Sequence, residues 1–318
     1  MQFIGCLHNS QHVFAPIKRD KVFKIVAAGE DKKSLMIDLL NCLIPDLNVH
    51  DIHYDDKEDP GLSIYDKSCI FDALCTTEKN KQCIVEVQTY DIDTYPDRMI
   101  SYAASLVKRQ MASKKAALSK LPPAERNKAK NDYSLYPIYV VSILTGKLEG
   151  KHKDGLDEGL ISRYSVRNDL NGEPMNGTLH FVYLETDHLT VDKDNPDMCN
   201  GLVEKLAWSV KYMEDVKERP KSFNEEMMVK LYRNSEIANM TEEQQELVYS
   251  EFEEDLRKSA ELATAERKGI KKGIEKAEKK AREKQLRMIR KLFDKGMSDA
   301  DIAEITELHE EDIAKLRQ

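Results

Sequence analysis

Two short apolar runs, each interrupted by one acid, constrain this chain more than any other feature. Residues 68–76 and 82–89 are rich in β-branched and aromatic side chains and flank a polar connector, 77–81, the pattern of a β-hairpin. With the connector centred on Lys79, residues whose numbers sum to 158 lie opposite one another, so Asp72 faces Glu86. Directly opposed residues hold their Cβ atoms about 4.5–5.5 Å apart. Gln88 shares the face of Glu86, because strand side chains alternate with period two. Like charges opposed in a sheet destabilise it, and burial without a partner adds several kcal/mol. A divalent cation of the Mg²⁺ type, held by one or two carboxylates plus waters and substrate phosphates, compensates such a pair. Solvent-facing acids on an ordinary amphipathic strand would need no compensation. The same register sets Cys75 against Cys83 on the other face, as buried reduced thiols.

Around this hairpin the pattern alternates between helix and strand. Leu35, Leu39, Leu40 and Leu43 predict a helix over 31–44, stopped by Pro45. Thr94 and Pro96 open a second helix, with an apolar stripe of Ile100, Ala103, Ala104, Val107 and Met111. Arg98, Tyr102, Ser105 and Arg109 fall on a neighbouring stripe. Pro122-Pro123 breaks the chain, and strands are expected over 136–144, 161–169 and 178–186, with a turn at Asn171-Gly172. From Gly201 onward the pattern is helical. Thr241 and Gln244 form a capping box, and a long charged helix runs over 242–294. Within it Gly269, Gly273, Ala277 and Ala281 make a narrow stripe, consistent with helical self-association or with a semi-flexible linker.

Charge is segregated. The net charge is −8, yet residues 108–130 carry eight Lys/Arg against Glu125 and residues 267–291 carry twelve against three acids. Such islands present a positive face to a polyanion while the chain stays acidic, although each is also compatible with a solvated helix surface. No apolar stretch has the length of a membrane span and no signal-peptide pattern opens the chain, so no membrane association and a cytoplasmic location are expected. Six cysteines without a Cys-x-x-Cys pair indicate neither a disulfide framework nor a zinc site. His50 and His53 have no third ligand nearby, and no Gly-rich phosphate loop is present.

Several motifs together resemble the Rpn recombination-promoting nuclease and transposase-like family, a branch of the PD-(D/E)xK superfamily. They are Phe23-Lys24, Leu39-Leu40-Asn41, Phe71-Asp72, Glu86-Val87-Gln88, Arg98, Tyr102, Gln110 and Tyr136-Pro137-Ile138-Tyr139-Val140, with Gly296-Met297-Ser298 to Ile305 in the tail. The resemblance implies an α/β fold: a restriction-endonuclease-like core with a mixed central sheet flanked by helices, followed by a helical C-terminal region. It implies a metal-dependent DNA endonuclease linked to recombination or mobile DNA. Asp72 and Glu86 would ligate Mg²⁺ or Mn²⁺, and Gln88 would stand where the wider superfamily places lysine. A neutral amide orients water but brings no positive charge to the transition state. The superfamily's first-helix acid leaves Asp20 and Asp38 as candidates. Arg98 and Tyr102, with Arg109, Lys114 and Lys115 of the first basic island, are the expected DNA contacts; the alternative for the first two is an arginine paired with Asp97 or Asp93 and a tyrosine half buried against the sheet.

The expected division is a nuclease-like core over 14–195, a helical extension over 196–258, and a basic helix with a small helical module over 259–318. The tail resembles a helix-turn-helix in outline, capped by Ser298. Its second helix opens Glu310-Glu311-Asp312, which favours protein contact or homo-oligomerisation over DNA reading. The competing reading of the whole chain is a non-catalytic DNA-associated or oligomerising protein that retains the nuclease fold.

Overall fold

A computed structural model describes residues 12–55, 58–59, 69–70, 72–88, 94–129, 132–148 and 159–317. Phe71, the end of the second apolar run at residue 89 and the N-terminal residues 1–11 lie outside them. In chain order the elements are α1 (Asp20–Ala27), α2 (Lys33–Leu43), β1 (Ile52–Tyr54), β2 (Glu58–Asp59), β3 (Cys69–Ile70), β4 (Ala73–Thr77) and β5 (Gln82–Gln88). They continue with α3 (Tyr95–Ser119), α4 (Pro123–Ala129), β6 (Ile138–Leu144), β7 (Ile161–Ser165), β8 (Leu179–Glu185), α5 (Leu202–Tyr212) and α6 (Glu226–Ser235). Last come α7 (Glu242–Asp294), α8 (Asp299–Thr306) and α9 (Glu310–Arg317). No described helix is long and apolar enough to cross a membrane.

The main sheet has the order β1-β4-β5-β6-β8-β7 and is mixed. β1, β4 and β5 are antiparallel neighbours, β5, β6 and β8 run parallel, and β7 returns antiparallel along β8. The parallel β5–β6 pair needs a crossover, and α3 lies within it. α3 packs Tyr95, Met99, Tyr102 and Leu106 against Leu74, Ile84, Ile138 and Val140 of the sheet. That stripe corrects the expected one, since Ile100 is 57% exposed and Ala104 is also exposed. The larger rings and thioether remove more apolar area from water than the Ile/Ala stripe, so they set the rotation of the helix.

α2 buries Leu35, Met36, Leu39, Leu40 and Leu43, as its spacing predicts. α1 has no counterpart in the sequence reading. It is only eight residues long and lacks a capping side chain, but Val22, Phe23, Val26 and Ala27 are buried. α6 packs on both α1 and α2. The capping box forms: the Thr241 amide donates to Gln244 Oε1 at 3.1 Å, and the Gln244 amide donates to Thr241 Oγ1 at 3.3 Å.

The chain divides into two compact units, the first ending at Glu251 and the second running from Phe252 to Gln318. In the second, Ile289 of α7, Ile302 of α8 and Ile313 of α9 form a small core with Leu292, Phe293, Met297 and Leu308. Ser298 caps α8 by accepting from the Asp301 amide at 3.2 Å.

Candidate active site

The hairpin register is the one expected from the sequence. Ala73 pairs with Val85, Leu74 with Ile84, Cys75 with Cys83 and Thr76 with Gln82. The connector turns through Asn80, whose φ of 58° lies in the left-handed region that asparagine tolerates. Cys75 and Cys83 are buried and unlinked, and their mutual contact together with burial holds the Cys83 thiol well above the usual range.

One step beyond Ala73 the strand bends at Asp72, and the two acids lock onto each other's backbone. The Asp72 amide donates to Glu86 Oε1 at 3.0 Å, and the Val87 amide donates to Asp72 Oδ2 at 2.9 Å. Both side chains are buried, Glu86 to 1% exposure. Each of the two remaining oxygens meets a cation. Lys24 Nζ of α1 lies 3.0 Å from Asp72 Oδ1, and a terminal nitrogen of Arg98, from α3, lies 2.9 Å from Glu86 Oε2.

Arg98 is fixed on several sides. It donates to Tyr102 Oη at 3.0 Å and to Gln88 Oε1 at 3.4 Å, and its guanidinium sits over the rings of Tyr95 and Tyr102. Two acids thus face two cations at close range. Burial, and then the charge of Asp72, push the Glu86 carboxyl up to about 8, against the opposing pull of Arg98 and Lys24.

The structure therefore brings together Asp72, Glu86, Gln88, Arg98 and Tyr102, and adds Lys24, to which the sequence reading gave no role. The signal was present in Phe23-Lys24, but only the recognition of α1 as a helix puts Phe23 inside and Lys24 towards Asp72. The remaining expected contacts lie elsewhere. Arg109, Lys114 and Lys115 fall about 16 to 25 Å further along α3 at 1.5 Å per residue, where Gln110 donates to Gln82 at the start of β5. Lys114 is engaged by Asp132 and Ser134 of the following loop, whereas Lys115 is exposed. Asp20 is 3.9 Å from Lys24, and Asp38 pairs with Lys230 at 2.7 Å, so neither joins the acid pair. His50 and His53 are exposed at the β1 edge.

A family model described as PD-(D/E)XK nuclease family transposase matches residues 17–265. The chain belongs to this family. The match spans the sheet, the acid pair and α1 to α6, and agrees with the resemblance carried by the sequence motifs. No curated protein and no solved structure matches the chain.

PD-(D/E)XK nucleases typically use a divalent metal, and the residues here suit a hard one. Each of the four carboxylate oxygens accepts one protein donor and keeps a second lone pair. Burial, the largest cause that raises the Glu86 carboxyl, also strengthens the attraction of a cation to the pair. Among the described residues no His, Cys or third acid joins them. Two carboxylates suit a hard divalent ion that retains waters rather than a fully protein-coordinated zinc.

Proposed function

We propose that this PD-(D/E)XK family member is a metal-dependent DNA endonuclease of recombination or mobile DNA. The observation that supports it most is the reciprocal lock of Asp72 and Glu86, two buried acids at adjoining strand ends held within reach of one another. Asp72 and Glu86 would hold Mg²⁺ or Mn²⁺, which when bound lowers the pKa of water and offsets charge on the phosphate. The chain's own groups do the rest. Gln88 orients water by hydrogen bonding. Lys24 supplies, from a different element, the fixed positive charge that an amide at residue 88 cannot, and helps to stabilise the phosphorane-like charge of the transition state. Arg98 holds Glu86 and Gln88 in register, and Tyr102 fixes Arg98.

One observation favours the alternative of a non-catalytic DNA-associated protein: each acid already has a cationic partner, so the pair can stand as a structural ion-pair cluster. Nicking of supercoiled plasmid separates the two. The nuclease reading expects Mg²⁺- or Mn²⁺-dependent nicking that EDTA abolishes and that Asp72→Asn and Glu86→Gln each reduce by at least about 10³-fold. Nicking that persists in both variants overturns the assignment of these residues.

Self-association, where it occurs, is assigned to α7 beyond Phe252. Leu256, Ala263, Ile270 and Ala277 recur every seven residues, interleaved with Ala260, Arg267, Ile274 and Ala281, a heptad seam, broken by one arginine, whose leucine and isoleucines are exposed. In a parallel pair, Glu266 of one copy faces Lys271 of the other.

A further inference from the structure

Lys24 borders a second concave surface. α1, α2, α6 and the first turns of α7 enclose a cleft of about 1000 Å³, lined by Lys21, Lys24, Lys32, Lys230 and Arg233 against one acid, Asp31. None of these cations belongs to the two basic islands visible in the sequence. They come from separate elements and converge only through folding.

Their counter-charges lie mostly outside the lining. Lys21 pairs at 2.6 Å with Glu251 and Lys24 at 3.0 Å with Asp72, both of which are buried; Lys230 pairs with Asp38 at 2.7 Å and Glu226 at 2.8 Å, and Lys32 pairs within the lining with Asp31 at 3.2 Å. An ammonium has three donors, so a lysine anchored by one or two carboxylates can still donate to a phosphate. Arg233 is exposed. Its planar fork suits two oxygens of one phosphate.

We propose that this cleft binds the backbone phosphates of DNA flanking the bond to be cut, with Lys24 as the residue shared by cleft and acid pair. The proposal rests on the nuclease reading for the word "cut" but not for the binding itself. A strand rather than a small anion is favoured by size, because the cleft lies at the upper end of the volumes that enclose a single small ligand. Five cations also exceed what one phosphate group can use.

The test uses the full chain carrying Glu86→Gln, so that binding is read without cleavage. Anisotropy of a short labelled duplex is followed across a NaCl series for this protein, for Lys32→Glu/Arg233→Glu added to it, and for Lys217→Glu/Lys221→Glu as a control of equal charge change on exposed residues. Thermal unfolding establishes that each is folded. The expected result is binding at least about 10-fold weaker in the cleft variant than in the control, with a log–log salt slope shallower by about 1 to 2, since each lost phosphate contact removes about 0.9.

Affinity and slope equal to those of the control overturn the proposal, and if the unsubstituted protein nicks plasmid in the same hands, the nuclease reading stands without it. Cleft-dependent binding with no cleavage under any divalent ion supports the cleft and removes the nuclease reading. Release of DNA by inorganic phosphate far beyond that caused by NaCl of equal ionic strength marks a small-anion site and overturns the proposal.

Discussion

At Glu86 burial and a neighbouring acid act in the same direction, and this has a consequence for stability. A carboxyl at about 8 in the fold, against an ordinary value of about 4.3 in the unfolded chain, makes the native state hold the extra proton between those limits. Its contribution is full below about pH 4.3 and is lost as pH rises through about 8. Denaturant unfolding in EDTA is therefore expected to show stability falling from pH 5 to pH 8.5 on the order of a few kcal/mol, with a visibly flatter profile for Glu86→Gln. Parallel profiles would show that Glu86 is not the group responsible. Lys24 provides a second test. Lys24→Met is expected to lower kcat for nicking by about 10²-fold and, because Lys24 also lines the DNA cleft, to raise KM, and Lys24→Arg to recover part of both. A merely structural lysine would instead lower the unfolding midpoint and leave kcat of the folded fraction intact.

Among elements, the hairpin was the most legible. Its two runs have period-two character, and a short polar connector leaves few registers, so one arithmetic rule placed Asp72 against Glu86. Helix α3 was readable in extent but not in rotation, because Tyr102 and Gln110 look polar in the sequence and are buried in the fold. What the sequence could not display is the meeting of α1 with the bend at Asp72, a contact between residues 24 and 72 that depends on tertiary packing of a two-turn helix. For the same reason the sequence does not display the partner of Arg98, because Glu86 reaches it only across the α3–sheet interface. That interface carries much of the core. Leu106, fully buried there, is expected to cost about 2–5 kcal/mol on substitution by alanine, measured by urea unfolding. A loss under about 1 kcal/mol would contradict the packing assigned to α3.

For the whole molecule, the two units carry separable properties: the acid pair, its cations and the cleft belong to the first, the heptad seam and the three-helix core to the second. Ile270→Asp/Ile274→Asp is expected to abolish concentration-dependent self-association in sedimentation equilibrium while leaving thermal unfolding of the first unit unchanged. Self-association that survives this change excludes the α7 seam. The account turns, however, on whether the acids of residues 72 and 86 together hold a hard divalent ion. Counting Mn²⁺ bound per chain by electron paramagnetic resonance, for the unsubstituted protein, Asp72→Asn and Glu86→Gln, addresses this without requiring turnover. The account predicts one bound ion that either substitution removes; the same bound count in all three proteins would contradict it.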